Sequence, residues 1–225
     1  MGRRIVFPSV DLADEDGLVA IGGDYALDTI LTAYKSGIFP WPISGDLEDG
    51  PLPNTWFAPD PRGTLQFKNL HVSKSFKKFL KKSPFQIKFN TNFKGVIDNC
   101  SLVHRKDQPG TWITPELKEA YIALFHAGHA YSAEAWENDA LVGGLYGVSI
   151  GDFFSGESMF TLSDNAGKQA FYELIKLLES RGIKWIDTQM VTEVVKQFGG
   201  EYIDRPTFMK LLEESDWTKQ RSDFF

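Results

Sequence analysis

Apolar residues recur with helical spacing in four segments of this chain. The first, LDTILTAYKSGIF, has an apolar stripe that stops at Gly37, and the second, VSKSFKKFLKK, starts with Ser73 as its predicted N-cap. The third, TPELKEAYIALFHAGH, begins with the N-cap Thr114 and a proline, and it ends at Gly128. The fourth, SDNAGKQAFYELIKLLESRGI, predicts a capped helix that ends at Gly182. The chain therefore contains four predicted amphipathic helices.

Other segments show the spacing and the residue types of strands. They are FQIKFN, AYSAEAWEND, ALVGGLYGVSIGDFFSGESMF and KWIDTQM. Because helices and strands are mixed and several strands follow one another directly, the order predicts an α+β fold with a central, mostly antiparallel sheet.

Glycines and prolines are concentrated in residues 37–63. These residue types disfavour long helices and favour turns, so this segment is the predicted boundary between two parts of the chain. We expect a small N-terminal domain, residues 1–65, that ends in this segment, and a second domain, residues 66–225.

The composition narrows the class of protein. With 225 residues, 42% of them hydrophobic, the chain is long enough to bury a substantial core. The net charge of −6 argues against non-specific coating of nucleic acid. The single cysteine cannot form an internal disulfide, the acidic residues near the N-terminus do not fit a signal peptide, and no apolar run is long enough for a membrane span. We expect a cytoplasmic monomer with no membrane contact.

Three polar residues in the strand segments are candidates for chemistry. Glu157 interrupts the apolar run GGLYGVSIGDFFSGESMF, where an acid is unusual. Asp187 and Gln189 are two residues apart on the last strand, so they point to the same face, and we expect the carboxylate to accept a hydrogen bond from the side-chain amide. Thr188 points the other way. No metal site is expected, because His126 and His129 have no neighbouring set of ligands.

Two further patterns allow either a functional or a structural interpretation. Phe171, Leu174 and Leu178 form an apolar stripe on the helix between these strands, which is either a binding wall or ordinary core. The helix at residues 74–82 carries a row of lysines, which is either a solvated face or a surface for phosphate groups. These lysines are Lys74, Lys77, Lys78, Lys81 and Lys82.

Seven segments, in this order along nearly the whole chain, resemble the bacterial leucyl/phenylalanyl-tRNA–protein transferases. They are FPSVDLADEDGLVAIGGDY, LTAYKSGIFPW, WFAPDPRG, HVSKSFKK, the long run from TWITPELKEAYIALFHAGH to FFSGESMF, NAGKQA and IDTQ. The resemblance implies a C-terminal domain with the GNAT (acetyltransferase-like) fold. It also implies transfer of Leu or Phe from aminoacyl-tRNA to the N-terminal amine of a protein, typically one that begins with Arg or Lys, which marks that protein for degradation.

The resemblance also implies roles for individual residues. Glu157 would lie beside the aminoacyl end and the incoming basic N-terminus, and Asp187, through Gln189, would orient the attacking amine. Because the tRNA ester is already activated, neither a covalent enzyme intermediate nor a cofactor is implied. From the density of positive charge on the lysine helix, we also expect Arg62 with Lys74, Lys77 and Lys78 to contact the acceptor end of the tRNA. The pocket for the Leu or Phe side chain would consist of Trp56, Trp112, Leu145, Met159, Phe171, Leu174, Leu178 and Ile186.

The chain departs from the family pattern at a few positions. It has Thr188 where the family commonly has Cys, and Gly167 where it commonly has Ser. We expect little effect from Thr188, because it faces away from Asp187 and Gln189. A serine hydroxyl at position 167 would be available to contact the tRNA end, and Gly167 lacks it.

Three other functions stay open at this stage. One is a related transferase that places Leu on acidic N-termini. The second is an acetyl-CoA-dependent acetyltransferase, which is disfavoured because TLSDNAGK, before the helix, lacks the expected glycine-rich pyrophosphate loop. The third is a tRNA- or peptide-binding module without catalysis, against which the presence of Glu157, Asp187 and Gln189 argues.

Overall fold

The computed structural model describes residues 6–42, 46–47, 50–51, 53–103 and 111–219. Its helices are α1 (Leu27–Lys35), α2 (Lys74–Leu80), α3 (Phe93–Leu102), α4 (Pro115–His126), α5 (Ala166–Ser180), α6 (Glu193–Gln197) and α7 (Arg205–Glu213). Its strands are β1 (Leu18–Ile21), β2 (Phe39–Pro40), β3 (Asp46–Leu47), β4 (Gly50–Pro51), β5 (Thr55–Phe57), β6 (Arg62–Gln66), β7 (Gln86–Phe89), β8 (Ala130–Glu137), β9 (Ala140–Ile150), β10 (Phe153–Thr161), β11 (Trp185–Gln189) and β12 (Glu201–Ile203). The four predicted helices and the predicted strand segments are confirmed.

The central feature is a seven-stranded sheet with the order β12-β6-β11-β10-β9-β8-β7. Every neighbouring pair in it is antiparallel except β10 and β11, which are parallel. A smaller sheet has the order β1-β5-β2. The predicted α+β fold with a mostly antiparallel central sheet is therefore confirmed.

Helices cover both faces of the large sheet. On one face, α5 packs its apolar stripe over a cluster that includes Phe154 and Ile186. On the other face, α1, α3, α4 and α7 pack over a cluster that includes Phe153 and Trp185. Because neighbouring strand residues alternate between the faces, Asp187, two residues after Trp185, lies on the same α4 face.

The predicted boundary at residue 65 falls within a strand of the large sheet. β6 pairs with both β11 and β12, and Leu65 is fully buried. The core cluster on the α4 face also contains Ile30 and Phe39 from the N-terminal part. The division into two domains stays a prediction, and the packing shows that both parts share one continuous core.

The site is formed where two strands separate. β10 and β11 are paired at one position, Ser155 opposite Asp187. Beyond it, the pairing of β10 with β9 shifts between Gly156 and Ser158. The pairing of β11 with β6 shifts before Gln189, whose φ is 53°. A φ in this region is uncommon for a residue other than glycine, so the end of β11 needs specific contacts to hold it.

The start of α5 lacks the side-chain cap that α2 and α4 have. Ser73 and Thr114 cap α2 and α4 through their side-chain oxygens, as predicted. Asn165, before α5, has a φ of 67° and makes no side-chain cap within the described chain. The main-chain oxygen of Ser163 instead accepts from the N–H of Ala166 at 2.9 Å.

Candidate active site

A cavity of about 580 Å³ opens between the separating ends of β10 and β11. Among the residues that the structure describes, its lining contains two carboxylates and no Lys, Arg or His. The apolar lining is Trp41, Leu145, Met159, Phe171, Met190, Val194 and Val195, and the rest of the wall is Gly156, Glu157, Ser158, Thr188, Gln189, Thr192 and Glu193.

Glu157 is held inside this cavity by a chain of hydroxyl groups. Its Oε1 accepts from Ser155 Oγ at 2.8 Å, and its Oε2 accepts from the hydroxyl of Tyr121 at 3.0 Å. The hydroxyls of Tyr121 and Tyr34 are 2.9 Å apart in the core. This arrangement fixes the Glu157 carboxylate and leaves it at the wall of the cavity.

The pKa of Glu157 is raised to about 7, mainly because burial disfavours the charged form. The negative charge of Asp187 also raises it, while the hydrogen bonds from Ser155, Tyr34 and Tyr121 act in the opposite direction. No ion pair of Glu157 with a cationic side chain occurs among the described residues. A carboxyl group in this state can exchange a proton near neutral pH, and it can receive a cation from outside the protein.

Asp187 is fully buried and does not line the cavity. Its carboxylate accepts two hydrogen bonds from Arg62, Nε to Oδ1 at 2.9 Å and Nη2 to Oδ2 at 2.7 Å. Oδ1 also accepts from the main-chain N–H of Gln189 at 3.0 Å. The predicted hydrogen bond from the side-chain amide of Gln189 to Asp187 is therefore wrong: the main chain of Gln189 makes this contact, because the irregular turn at the end of β11 directs its N–H toward the carboxylate.

The Gln189 amide instead faces Ser155, which is fully buried. In the orientation that satisfies both ends of the amide, Nε2 donates to the main-chain oxygens of Gly156 at 2.8 Å and Thr188 at 2.9 Å, and Oε1 accepts from Ser155 Oγ at 2.6 Å. The reverse orientation would place the amide oxygen against two carbonyl oxygens, so we assign the first one. Gln189 thus spans the gap between the two strands.

The position of Arg62 in the structure differs from the predicted one. We expected this residue at a surface that contacts tRNA, but it is only 1% exposed. Its guanidinium lies between the rings of Phe39, 4.5 Å from the centroid, and Phe208, at 4.7 Å, and it faces Asp187. This enclosure leaves no surface for a phosphate, because the ion pair and the two rings surround the group. Arg62 connects β2 and α7 to the end of β11.

Three of the eight predicted pocket residues line the cavity, namely Leu145, Met159 and Phe171. Three others do not reach it, because they are buried in the core beneath α5; these are Leu174, Leu178 and Ile186. For them, the interpretation as ordinary core is the one that the packing supports.

The two predicted tryptophans lie in different places. Trp112 stacks on the cavity residue Trp41, with ring centroids 5.0 Å apart and an interplanar angle of 7°. Trp56 lies outside the cavity lining, where it packs edge-on against Phe7 and Tyr25 and donates its indole N–H to a main-chain oxygen at 2.9 Å. Trp41 thus lines this cavity and Trp56 does not, and a role of Trp56 in the pocket stays a prediction.

Sequence reasoning missed Trp41, Ser155, Tyr121 and Glu193 as parts of the site. Trp41 ends the segment LTAYKSGIFPW, which carries part of the family resemblance but is not among the predicted pocket residues. Ser155 is two residues before Glu157, so the alternation of a strand places it on the same face, and this signal was available. Tyr121 lies on α4, far away in the sequence, and no local pattern indicated it.

The two departures from the family pattern both have structural consequences. Thr188 points away from Asp187, as expected, but it still lines the cavity. Its orientation is therefore no reason to expect that Thr in place of Cys has little effect on the site. At Gly167, an added Cβ would lie 2.4 Å from Thr161 Oγ1 and 2.6 Å from the main-chain oxygen of Phe160. Glycine at this position therefore allows α5 to start directly against β10.

The predicted tRNA-contacting lysines lie on the outer face of α2. Lys74, Lys77 and Lys78 are exposed, while Phe76 on the opposite side is buried. Nearby on α5, Lys168 Nζ lies 4.8 Å from the centroid of the Phe76 ring, and burial lowers its pKa. The lysine row is thus available to a negatively charged partner.

Two features are absent from the residues that the structure describes. No group of three or more His, Cys, Asp or Glu side chains among them is arranged to hold a metal ion. No helix in the described part of the chain combines the length and the apolar character that crossing a membrane requires.

Comparison with known proteins gives a consistent result over both parts of the chain. Residues 64–213 match the family described as leucyl/phenylalanyl-tRNA protein transferase, and residues 23–60 match the family described as its N-terminal domain. In solved structures, the chain is similar to a GCN5-related N-acetyltransferase from Kribbella flavida, with a TM-score of 0.41, 12% identity, and coverage of 78% of this chain and 60% of the other.

Curated relatives match nearly end to end. The leucyl/phenylalanyl-tRNA–protein transferase of Christiangramia forsetii is 46% identical over 92% of this chain and 95% of its own. That of Flavobacterium johnsoniae is 45% identical over 93% of this chain and 96% of its own. On these matches, the chain belongs to the leucyl/phenylalanyl-tRNA–protein transferase family.

Proposed function

We propose that this protein transfers Leu or Phe from aminoacyl-tRNA to the N-terminal α-amine of a protein. The family membership supports the reaction. The observation that carries the mechanism is Glu157, a carboxyl group with a pKa of about 7 at the wall of a largely apolar cavity. The reaction joins a cationic amine to an apolar aminoacyl group, and this cavity offers a surface for each.

The apolar wall suits the side chain of the donor. Leu145, Met159 and Phe171 line it, and the unbranched Met159 can adapt to both a branched aliphatic and an aromatic side chain. The stacked pair of Trp41 and Trp112 adds a flat aromatic surface, on which a nucleobase at the end of the tRNA can stack. The exposed lysines of α2 would contact phosphates farther along the tRNA.

Glu157 acts as the general base in this proposal. An α-amine has a pKa of about 8, so most of it is protonated at neutral pH and cannot attack. Glu157 takes one proton from the ammonium group, and the neutral nitrogen then attacks the carbonyl carbon of the ester. A C–N bond forms, the bond from this carbon to the ribose oxygen breaks, and that oxygen takes the second proton that the nitrogen loses. Asp187 holds the main chain of Gln189 and is a positioning residue, since it does not reach the cavity.

The charges of the cavity favour a basic acceptor. Within the described residues, its ionisable groups are the carboxylates Glu157 and Glu193, and both attract a protein that begins with Arg or Lys. An acceptor that begins with Asp or Glu would meet two like charges and no cation. We therefore propose that the acceptor protein begins with a basic residue and not with an acidic one. Replacing Glu193 with Lys is expected to reduce the preference for Arg over Asp acceptors, whereas an unchanged preference would contradict this part.

One experiment tests the proposed reaction against the other functions. The purified protein is mixed with labelled Leu-tRNA, Phe-tRNA or acetyl-CoA and with peptides that begin with Arg, Lys, Asp or Glu. We expect labelled Leu and Phe on the Arg and Lys peptides only. Acetylation would indicate an acetyltransferase, labelled Asp or Glu peptides would indicate the acidic preference, and tRNA binding without product would indicate a binding module. We further propose a monomer that acts in the cytoplasm, where aminoacyl-tRNA is made.

A further inference from the structure

Ser155 contacts two polar residues of the cavity wall, one from each of the two separating strands. Its Oγ is 2.8 Å from Glu157 Oε1 and 2.6 Å from the side-chain amide of Gln189. The residue is fully buried, and it occupies the single position at which β10 is paired with β11. The proposed reaction above gives Ser155 no role, although no other residue touches both groups among the described hydrogen bonds.

We propose that Ser155 is a positioning residue that couples the protonation state of Glu157 to the orientation of the Gln189 amide. It would also couple that state to the availability of Gln189 Oε1 as a hydrogen-bond acceptor. This inference rests on the proposed function, in which Glu157 is the base. A serine hydroxyl has one hydrogen, while Glu157 Oε1 and Gln189 Oε1 both lie within its reach. It can donate to one of them at a time, so the state of one acceptor determines what the other receives.

The two protonation states of Glu157 use this hydrogen differently. When Glu157 is ionised, its negative charge attracts the Ser155 hydrogen, and Gln189 Oε1 is left open to accept from the N–H of an amine in the cavity. When Glu157 has taken the proton, its own O–H donates to Ser155 Oγ, and the Ser155 hydrogen turns to Gln189 Oε1. One lone pair of Gln189 Oε1 is then occupied, which weakens its contact with the amine. The switch thus orients the nucleophile before proton transfer and weakens that contact afterwards.

The effect of Ser155 on the Glu157 anion can be separated from the effects of the other groups around this carboxyl. The other groups that face this carboxyl are Tyr34 from α1, Tyr121 from α4 and Asp187 from β11, and Arg62 pairs with Asp187. The Gln189 amide also faces it, and in the assigned orientation its Oε1 is 3.4 Å from Glu157 Oε1. Both tyrosines have a pKa raised well above the usual value, chiefly through burial and then through the charge of Glu157, so they stay protonated donors. Removing Ser155 therefore changes the stability of the Glu157 anion without removing another charge.

The test compares Ser155→Ala, Ser155→Cys and Ser149→Ala with the wild type. Ser149 is a matched control, because it is also a fully buried serine in the same sheet, and its Oγ donates to the main-chain oxygen of Phe153 at 3.0 Å. The first measurement is the pH dependence of single-turnover transfer from Leu-tRNA to a peptide that begins with Arg. The second is a ¹³C NMR titration of labelled glutamate carboxyl groups in the free protein, with Glu157 assigned by its absence in Glu157→Gln.

We expect Ser155→Ala to raise the pKa of Glu157 by about one to two units, the range for loss of a hydrogen bond to a charged group. The transfer rate at pH 7 then falls about 5- to 50-fold and recovers at higher pH. For Ser155→Cys, we expect a pKa of Glu157 and a transfer rate between those of the wild type and Ser155→Ala, because a thiol is a weaker donor. Ser149→Ala should change neither the NMR titration of Glu157 nor the pH dependence of transfer.

The outcomes separate failure of this inference from failure of the proposed function. If the NMR titration of Glu157 and the acidic limb of the rate are the same in Ser155→Ala and wild type, Ser155 does not couple to the base, and the inference is overturned. If Ser155→Ala loses activity at every pH without a shift in the titration, its role is only structural, and the inference is again overturned. If the wild type transfers nothing, the proposed function has failed before Ser155 is tested.

Discussion

Replacing Arg62 with Met tests how the end of β11 is held. Methionine keeps an unbranched side chain of similar length between the rings of Phe39 and Phe208, while it removes the charge and the two hydrogen bonds to Asp187. Asp187 is 0% exposed, so the substitution leaves its carboxylate buried without the cation. The perturbation therefore acts mainly on electrostatics and little on volume.

Removing one partner of a buried ion pair costs about 3–5 kcal/mol of the free energy of unfolding. For a chain of this size, 1 kcal/mol lowers Tm by about 2–4 °C, so we expect a decrease of roughly 6–20 °C. The double variant Arg62→Met/Asp187→Asn carries no buried unpaired charge, and its asparagine oxygen can still accept from the N–H of Gln189. It should recover much of the loss, so that the two substitutions are not additive.

The assay is urea unfolding of the wild type, both single variants and the double variant, with single-turnover transfer measured on each. In Arg62→Met, we expect transfer to fall more than the binding of Leu-tRNA, because Asp187 then holds Gln189 less well. A loss below about 1 kcal/mol for Arg62→Met, with additive effects in the double variant, would refute the reasoning. It would mean that Asp187 reaches solvent or another cation.

Three further predictions concern the core, the tRNA surface and the stability. Leu174→Ala should destabilise the fold by about 2–5 kcal/mol and lower the use of Leu-tRNA and Phe-tRNA in parallel, whereas a changed Leu/Phe ratio of kcat/KM would return Leu174 to the pocket. Replacing Lys74, Lys77 and Lys78 with Ala should reduce the salt slope of tRNA binding by up to about 2, and an unchanged slope would leave them as a solvated face. Because the pKa of Glu157 is raised from 4.5 to about 7, its contribution to stability is present below pH 4.5 and is lost as the pH rises through 7. Glu157→Gln should therefore melt above the wild type at pH 8 and close to it at pH 4.5, and equal melting temperatures at both pH values would contradict the shift.

The regular elements were predictable where the signal is local. Ser73 and Thr114 cap their helices because each is followed by main-chain N–H groups that need an acceptor, and this requirement is visible in the sequence. The family resemblance identified Glu157, Gln189 and Met159, which all line the cavity. In contrast, α3, α6, α7, β6 and β12 were not assigned. Of these, α6, β6 and β12 are only three to five residues long, and α3 contains Gly95 and Asn99, which disfavour a helix.

The contacts around Asp187 could not be read from the sequence. Its partner Arg62 is 125 residues away, in the segment that we assigned to the domain boundary. The alternation of a strand predicts Asp187 and Gln189 on one face, but the shift in pairing near Gln189 directs the main-chain N–H, and not the side-chain amide, to the carboxylate. Likewise, helical spacing alone cannot distinguish Phe171, at the cavity, from Leu174, one turn further along and in the core.

The role of Glu157 as the base is tested most directly by the single-turnover transfer rate of Glu157→Gln across pH. The substitution keeps the size of the side chain and removes the group that takes the proton. With Leu-tRNA and a peptide that begins with Arg, we expect the rate at pH 7 to fall by about 10²- to 10⁴-fold, while the affinity for Leu-tRNA stays close to that of the wild type. The remaining rate should follow the ionisation of the amine alone. A rate near that of the wild type at pH 7, with the same pH dependence, would contradict the account.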